Sequence, residues 1–239
     1  MIVVDDFHKQ YDQTLAVHDL SFRVEPGEVL GLIGPNGAGK TTTLRSLAGI
    51  VNPSRGQLSV AGHDVSREPI AAKSQLAYVP DDPPNFSDLT VGEHLAFTAS
   101  VYRVDDAQRK ANTLLEQFEL AAKQSTPARS LSRGMRQKLA ICCAYLYDPA
   151  VLLLDEPLTG LDPHGIRTLK RTIRERADNG AAAIVSSHLL AMVEDVCTHV
   201  LILDKGTKQF CGPIEDLYRH YEREQQATSL EDIFFAATT

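Results

Sequence analysis

Gly34-Pro35-Asn36-Gly37-Ala38-Gly39-Lys40-Thr41 is the stretch whose residue types and spacing most directly promise chemistry, because it matches GxxxxGK[ST] in full. Glycines let the backbone wrap a phosphate so that several N–H groups point inward, and a helix opening at Gly39-Lys40 adds the positive end of its dipole. Lys40 then offers a point charge to β and γ phosphates, the Thr41 hydroxyl is set for Mg2+, and Thr42 carries the turn into the helix. The competing reading is a glycine-rich turn that binds nothing. Context weighs against it, since the pattern follows an apolar run, Val29 to Ile33, and precedes a helical one.

Such a loop needs a carboxylate on the metal side, and Val151-Leu152-Leu153-Leu154-Asp155-Glu156 provides one where an apolar run ends. Asp155 is the metal-side candidate. Glu156, one step further, is placed to orient an attacking water and take its proton. A plain strand exit before Pro157 is the blander account of the two acids, and the phosphate loop elsewhere in the chain is what argues for the chemical one.

The elements that must position these groups fit one large α/β domain of 239 residues, 43% hydrophobic. Lys and Arg number 24 against 31 Asp and Glu, for a net charge of −7, with no basic block of the kind that tracks a phosphate backbone. Nucleic acid is therefore not an expected partner. MIVVDDFHKQ lacks a charged-then-apolar signal pattern, and the weakly polar stretch from Ala181 to Val193 is interrupted by Ser186, Ser187 and His188. It falls short of the roughly 20 apolar residues that cross a bilayer, so no span is expected. Cys142, Cys143, Cys197 and Cys211 form no CxxC pair and are expected to be buried, reduced thiols.

Short, partly alternating segments at Ile2 to Asp5, Leu20 to Val24 and Gln57 to Val60 read as strands with one wetted face. Continuous apolar runs at Val29 to Ile33, Val151 to Leu154, Ile184 to Val185 and Val200 to Leu203 read as strands covered on both faces. One helix is expected from the phosphate loop. Another starts with Asp162 as N-cap and Pro163 in its first turn and ends near Asn179-Gly180. Between Asp82 and Tyr147 the pattern turns helical: a Thr90/Glu93 capping box, an amphipathic stretch from Ala107 to Leu120, and a helix capped by Ser132 running to about Tyr147. In the tail, Pro213 is expected to open a helix with Ile214, Leu217, Tyr218 and Tyr221 on one face. Leu230, Ile233 and Phe234 repeat that spacing, and both stripes are expected to dock on the domain.

Leu131-Ser132-Arg133-Gly134-Met135-Arg136-Gln137-Lys138 resembles the signature sequence of the ATP-binding cassette (ABC) family. Tyr11, the phosphate loop, the signature, Asp155-Glu156, Gly160-Leu161-Asp162 and Ser187-His188 follow in the family's order, so the resemblance covers nearly the whole chain. It implies a P-loop NTPase core with a mixed or parallel sheet, an N-terminal antiparallel β subdomain and an inserted α-helical subdomain. The chain then divides into a core at 1–81 and 148–212, a helical subdomain at 82–147 and a C-terminal helical extension at 213–239.

The resemblance further implies an ATPase using ATP and Mg2+, with Tyr11 stacked on adenine. Ser132 and Gly134 of one copy would cover the γ-phosphate held by a second copy. Asp162 would lie at the seam between copies, and His188 would touch the γ-phosphate while holding Glu156 and water in register. Its partners would be that second ABC subunit and a separately encoded transmembrane permease, with the chain at the cytoplasmic face of the membrane through the permease.

Two departures stand out. The family usually has Gln where this chain has Asp81, and Ser-Gly-Gly-Gln where it has Ser-Arg-Gly-Met. Asp81 retains an oxygen for Mg2+ but adds charge beside a triphosphate, which calls for a metal or a basic neighbour to offset it. With Ser229-Leu230-Glu231-Asp232-Ile233-Phe234, these variants resemble the bacterial export branch. Two other functions stay open: a soluble ABC-type clamp or assembly factor, and a nucleotide sensor without catalysis, against which Glu156 and His188 argue.

Overall fold

The computed structural model of the chain describes residues 1–225 and 229–238. Its centre is a six-stranded sheet in the order β10-β9-β3-β8-β7-β6. The strands are β3 (Val29–Ile33), β6 (Leu76–Val79), β7 (Val151–Asp155), β8 (Ala182–Ser186), β9 (His199–Asp204) and β10 (Thr207–Pro213). β6, β7, β8, β3 and β9 run parallel, and β10 closes one edge antiparallel to β9. All five residues of β3, β7 and β8 are buried.

Alternation persists beneath those continuous apolar runs, since successive side chains leave a strand on opposite faces. Val29, Ile33, Leu152, Leu154, Val185, Val200 and Ile202 enter one core, packed by helices. Leu30, Leu32, Val151, Leu153, Ile184, Leu201 and Leu203 enter the other. That second core is closed by α1 (Lys40–Leu47) and by a four-stranded antiparallel sheet ordered β2-β1-β4-β5. Its strands are β1 (Ile2–Tyr11), β2 (Thr14–Val24), β4 (Arg55–Val60) and β5 (His63–Asp64). β1 and β2 are longer than their apolar segments because a two-residue turn with Asp12 at φ 49° prolongs the hairpin to the pair Tyr11–Thr14.

The other helices are α2 (Pro69–Ser74), α3 (Val91–Tyr102), α4 (Ala107–Gln117), α5 (Arg133–Tyr145), α6 (Pro163–Asp178), α7 (Leu190–Val196), α8 (Ile214–Gln225) and α9 (Leu230–Ala237). Their starts follow the capping chemistry. Thr90 and Glu93 form the reciprocal box at α3, with Thr90 N–H donating to Glu93 Oε2 at 2.7 Å. Asp162 Oδ1 accepts from Gly165 N–H at 2.8 Å at α6, and Ser132 Oγ accepts from Met135 N–H at 3.3 Å at α5. α4 stops at Gln117, short of Leu120, and Glu119 beyond it is left-handed at φ 58°.

Pro213 does not open the tail helix. It is the last residue of β10, paired with His199, and α8 starts at Ile214, whose N–H bonds the Thr198 carbonyl at 3.1 Å. Leu217, Leu230 and Ile233 are buried in the helix-packed core, with Ile214, Tyr218 and Phe234 partly buried beside them. The side chain of Tyr221 lies outside the described residues. β6 and β10 have no counterpart among the expected strands: β6 has only four residues, and β10 is a polar edge strand. The same edge accounts for Cys211, which is exposed, whereas Cys142 and Cys197 are buried and Cys143 half-buried. Burial pushes the Cys143 thiol up to about 11 and the Cys197 thiol up to about 12, so both stay protonated.

Candidate functional site

The phosphate loop leaves the end of β3 and turns into α1 through two left-handed glycines, Gly37 at φ 82° and Gly39 at φ 103°. Close approach fixes two positions. A Cβ on Gly34 would lie 2.3 Å from the Leu203 carbonyl oxygen, and one on Gly39 would lie 2.7 Å from that of Ala16. The loop is thereby pinned between β9 and β2, with α1's free N–H groups at its mouth.

Lys40 is only 8% exposed, and its Nζ donates to the Gly34 carbonyl at 2.6 Å and the Pro35 carbonyl at 3.2 Å. Burial lowers its pKa, while the charges of Glu156 and Asp155 pull the other way. A cationic head held inside the loop by neutral carbonyls is poised for a better acceptor, which a phosphate oxygen supplies.

Asp155, the last residue of β7, is 3% exposed. Ser186, its register partner at the end of β8, donates its hydroxyl to Asp155 Oδ1 at 2.6 Å. Thr41 Oγ1 lies 3.4 Å from the same oxygen, and Tyr78 donates to Oδ2 at 3.4 Å. Burial, and then the Asp155 carboxylate, raise the Tyr78 pKa, so this phenol keeps the proton it donates. A hydroxyl and a carboxylate side by side are hard oxygen donors of the type Mg2+ takes, and an orienting hydrogen bond behind the carboxylate fits such a site.

Glu156 turns away from the strand in a left-handed conformation, φ 48°, held by N–H bonds to both the carbonyl and the hydroxyl of Ser186, each 3.1 Å. A carboxyl-bearing residue in that region stores local strain that the surroundings must hold. Its side chain meets His188, which follows β8: Nδ1 lies 2.7 Å from Oε2, and the His188 N–H donates to the same oxygen at 3.3 Å. His188 is largely exposed, so its other ring nitrogen faces solvent rather than the core.

These groups meet in a cleft of about 450 Å³, lined by Tyr11 and Ala16 on one side, Asn36 through Thr42 along the floor, and Asp81, Asp155 and Glu156 opposite. Tyr11, at the end of β1, is 42% exposed and lines the cleft, with the Lys9 ammonium 4.8 Å from its ring centroid. Gly34 and Pro35 lie behind the floor as acceptors for Lys40, and His188 reaches the cleft through Glu156.

Ser132, Gly134 and Asp162 do not line this cleft. They form a separate cluster. A Cβ on Gly134 would fall 2.1 Å from the Gly160 carbonyl oxygen, so the start of α5 is pressed against the turn before α6. Lys138, 8% exposed, reaches Asp162 at 3.1 Å and Glu119 at 3.3 Å. The Gly165 amide, then Lys138, hold the Asp162 carboxyl below its usual range. Lys138→Ala is expected to lower stability by about 1–2 kcal/mol, since both carboxylates are half-exposed and water compensates part of the loss. Denaturant unfolding with an unchanged midpoint would show that the cluster carries no stability.

Ser186, Tyr78, Ala16 and Lys138 escaped the sequence reading. For the first two a signal existed: they sit at or near the carboxyl ends of parallel strands, the edge where α/β sheets gather ligands.

A glycine loop at a strand-to-helix turn, a buried lysine and the hydroxyl-carboxylate pair of Thr41 on α1 and Asp155 at the end of β7 define a phosphate-binding-loop nucleotide site in an α/β cassette. The family model described as ABC transporter matches residues 17–159. An "ABC-type transporter ATP-binding protein EcsA" of Bacillus subtilis (strain 168) is 32% identical over 100% of this chain and 96% of its own length. A "Nod factor export ATP-binding protein I" of Ralstonia nicotianae is 33% identical over 92% of this chain and 69% of its own length. A solved structure described as an ATP binding subunit of an ABC transporter superposes with TM-score 0.94, covering 100% of both chains at 34% identity. The chain belongs to the ABC transporter ATP-binding family, whose members bind and hydrolyse ATP.

Proposed function

We propose that this chain is the motor of an exporter: two copies close head to tail around two Mg-ATP and drive a separately encoded membrane permease. The observation that carries the pairing is the separation of two phosphate-attracting features. The cleft lies at α1, while Ser132 and Gly134, at the N-capped start of α5, are not among the residues that line it. A facing copy gives each helix start a phosphate to cover, with Asp162 at the seam.

In this reading the core at 1–81 and 148–212 binds nucleotide, residues 82–147 form the helical subdomain, and 213–239 extend the core. Tyr11 stacks on adenine, the backbone from Gly34 to Gly39 wraps the phosphates with Thr42 completing the turn, and Lys40 neutralises the β and γ oxygens. Thr41, Asp155 and Asp81 would hold Mg2+, which when bound withdraws charge from the phosphates. Glu156 takes a proton from the attacking water as its oxygen bonds to the γ-phosphorus. The bond from that phosphorus to the β–γ bridging oxygen breaks, and ADP leaves with that electron pair. His188, bound to Glu156 through Nδ1, keeps the carboxylate aimed and turns Nε2 toward the γ-phosphate.

A second observation supports the permease. Beside the cleft runs an apolar groove of about 250 Å³, walled by Phe86, Phe97, Tyr102 and Tyr147, in which Phe86 is 55% and Phe97 52% exposed. Large aromatic side chains left in water on the helical subdomain suit a short helix of a partner. Among the described residues no helix is long and apolar enough to cross a membrane, so attachment at the cytoplasmic face would come through that partner. Export is supported by the Nod factor export relative.

The test uses Glu156→Gln protein held closed with ATP in detergent-extracted membranes, with partners then identified. A multi-spanning membrane protein recovered with it, and lost on adding Phe97→Asp without loss of ATP binding, is the expected result. Repeated recovery of soluble proteins alone would replace this reading with a clamp or assembly ATPase.

A further inference from the structure

Asp81 and Arg133, 52 positions apart, form an ion pair at 3.2 Å between Arg133 Nη2 and Asp81 Oδ1. Each belongs to a different part of the machinery. Asp81 follows β6 and lines the nucleotide cleft, whereas Arg133 is the first residue of α5, beside the cap Ser132. The stem of Arg133 packs over Gly160, with Cγ 3.4 Å and Cδ 3.5 Å from where a Cβ on that residue would stand. One arginine thus joins a cleft carboxylate, the start of the signature helix and the turn before Asp162.

We propose that Asp81 is shared between two partners, Arg133 and the metal side of the nucleotide, so that filling the cleft loosens the start of α5. This rests on the reading of the cleft as an Mg-nucleotide site. A carboxylate oxygen that turns to a divalent cation surrenders its bond to a guanidinium on the other side, because the cation is the larger local charge. The pair is suited to exchange: both side chains are about half-exposed, 50% and 48%. Ion pairs so exposed amount to roughly two- to five-fold in an equilibrium constant, little enough for a ligand to displace. Arg133 acts as a positioning residue, setting how far Asp81 is available to the metal and passing the outcome to the helix whose start carries Ser132.

The linkage has a definite sign. With Arg133 neutralised, Asp81 has no competing cation, so Mg2+ should improve nucleotide affinity by a larger factor than in the wild type. In chelator the same change leaves an unneutralised carboxylate beside the phosphates and should weaken binding. The experiment measures, by calorimetry, the affinity for a non-hydrolysable ATP analogue in Mg2+ and in EDTA, and takes the ratio. Arg133→Gln, which keeps the methylenes over Gly160, is expected to raise the ratio roughly two- to five-fold. Arg133→Lys should stay near wild type, and Asp81→Asn should lower the ratio. In the Asp81→Asn background, Arg133→Gln should have no effect.

A ratio unchanged by Arg133→Gln, or shifted equally in both Asp81 backgrounds, would overturn the sharing. Absence of Mg2+-dependent binding by the wild type would instead overturn the reading of the cleft itself. Hydrogen exchange at protein concentrations too low for two copies to close gives a second readout: Mg-analogue should speed exchange of the amides opening α5 in the wild type and leave them unaltered in Asp81→Asn.

Discussion

Glu156→Gln is expected to lower ATP turnover by roughly 10²–10⁴-fold while ATP still binds, the loss that follows when a positioned general base can no longer accept a proton. The size of the effect rests on geometry. Glu156 is held by Ser186 through its backbone and by His188 through its side chain, so glutamine would occupy the same place with its amide oxygen in the same bonds. Nothing that contacts phosphate is removed. Steady-state phosphate release and ATP affinity measured on one preparation separate the two outcomes, and full turnover in the variant would end the assignment of Glu156 as base. The left-handed backbone at 156 adds a control. Gly relieves φ 48° and removes the carboxylate, so Glu156→Gly should match or exceed the stability of Glu156→Gln yet be no faster.

Lys40→Ala should fail earlier, at binding. Its ammonium is buried in the loop with two carbonyls for company and two carboxylates beyond, and truncation removes the one side-chain cation that lines this cleft among the described residues. Loss of one partner of a buried, hydrogen-bonded charge pair typically costs 2–5 kcal/mol, about 30-fold or more in affinity. Calorimetry with ATP reads this directly, and equal affinity in wild type and variant would contradict the role. The fold should survive, since the carbonyls of Gly34 and Pro35 regain water when the amine goes.

How much of this was legible in the sequence follows from distance along the chain. The phosphate loop, the Asp155-Glu156 pair and the Thr90, Ser132 and Asp162 caps are local devices, whose donors and acceptors lie within a few residues. Continuous apolar runs marked β3 and β7 for the same reason: a strand covered on both faces needs no partner to declare itself. β6 stayed hidden because it has only four residues and pairs with β7, remote in sequence; β10 stayed hidden because it is largely polar, although β9, its partner, adjoins it across a two-residue turn. The bond from Ser186 to Asp155 spans 31 residues and that from Tyr78 to Asp155 spans 77. No period carries such links; only the closed sheet, with strands ending in register, does. Asp81 shows both sides. Its charge could be flagged as needing a basic neighbour, but that the neighbour is Arg133, another departure from the family pattern, depends on how α5 lies against β6.

The placement of Ser132 and Gly134 apart from Lys40 has a genetic consequence. If each site takes its floor from one copy and its cover from the other, an allele damaged at Lys40 keeps a sound cover, and an allele damaged at Gly134 keeps a sound floor. Expressed together, they would form some mixed pairs in which one of two sites is whole, so two recessive defects would partly complement each other. Two alleles both damaged at the floor, at Lys40 and at Asp155, could never do so.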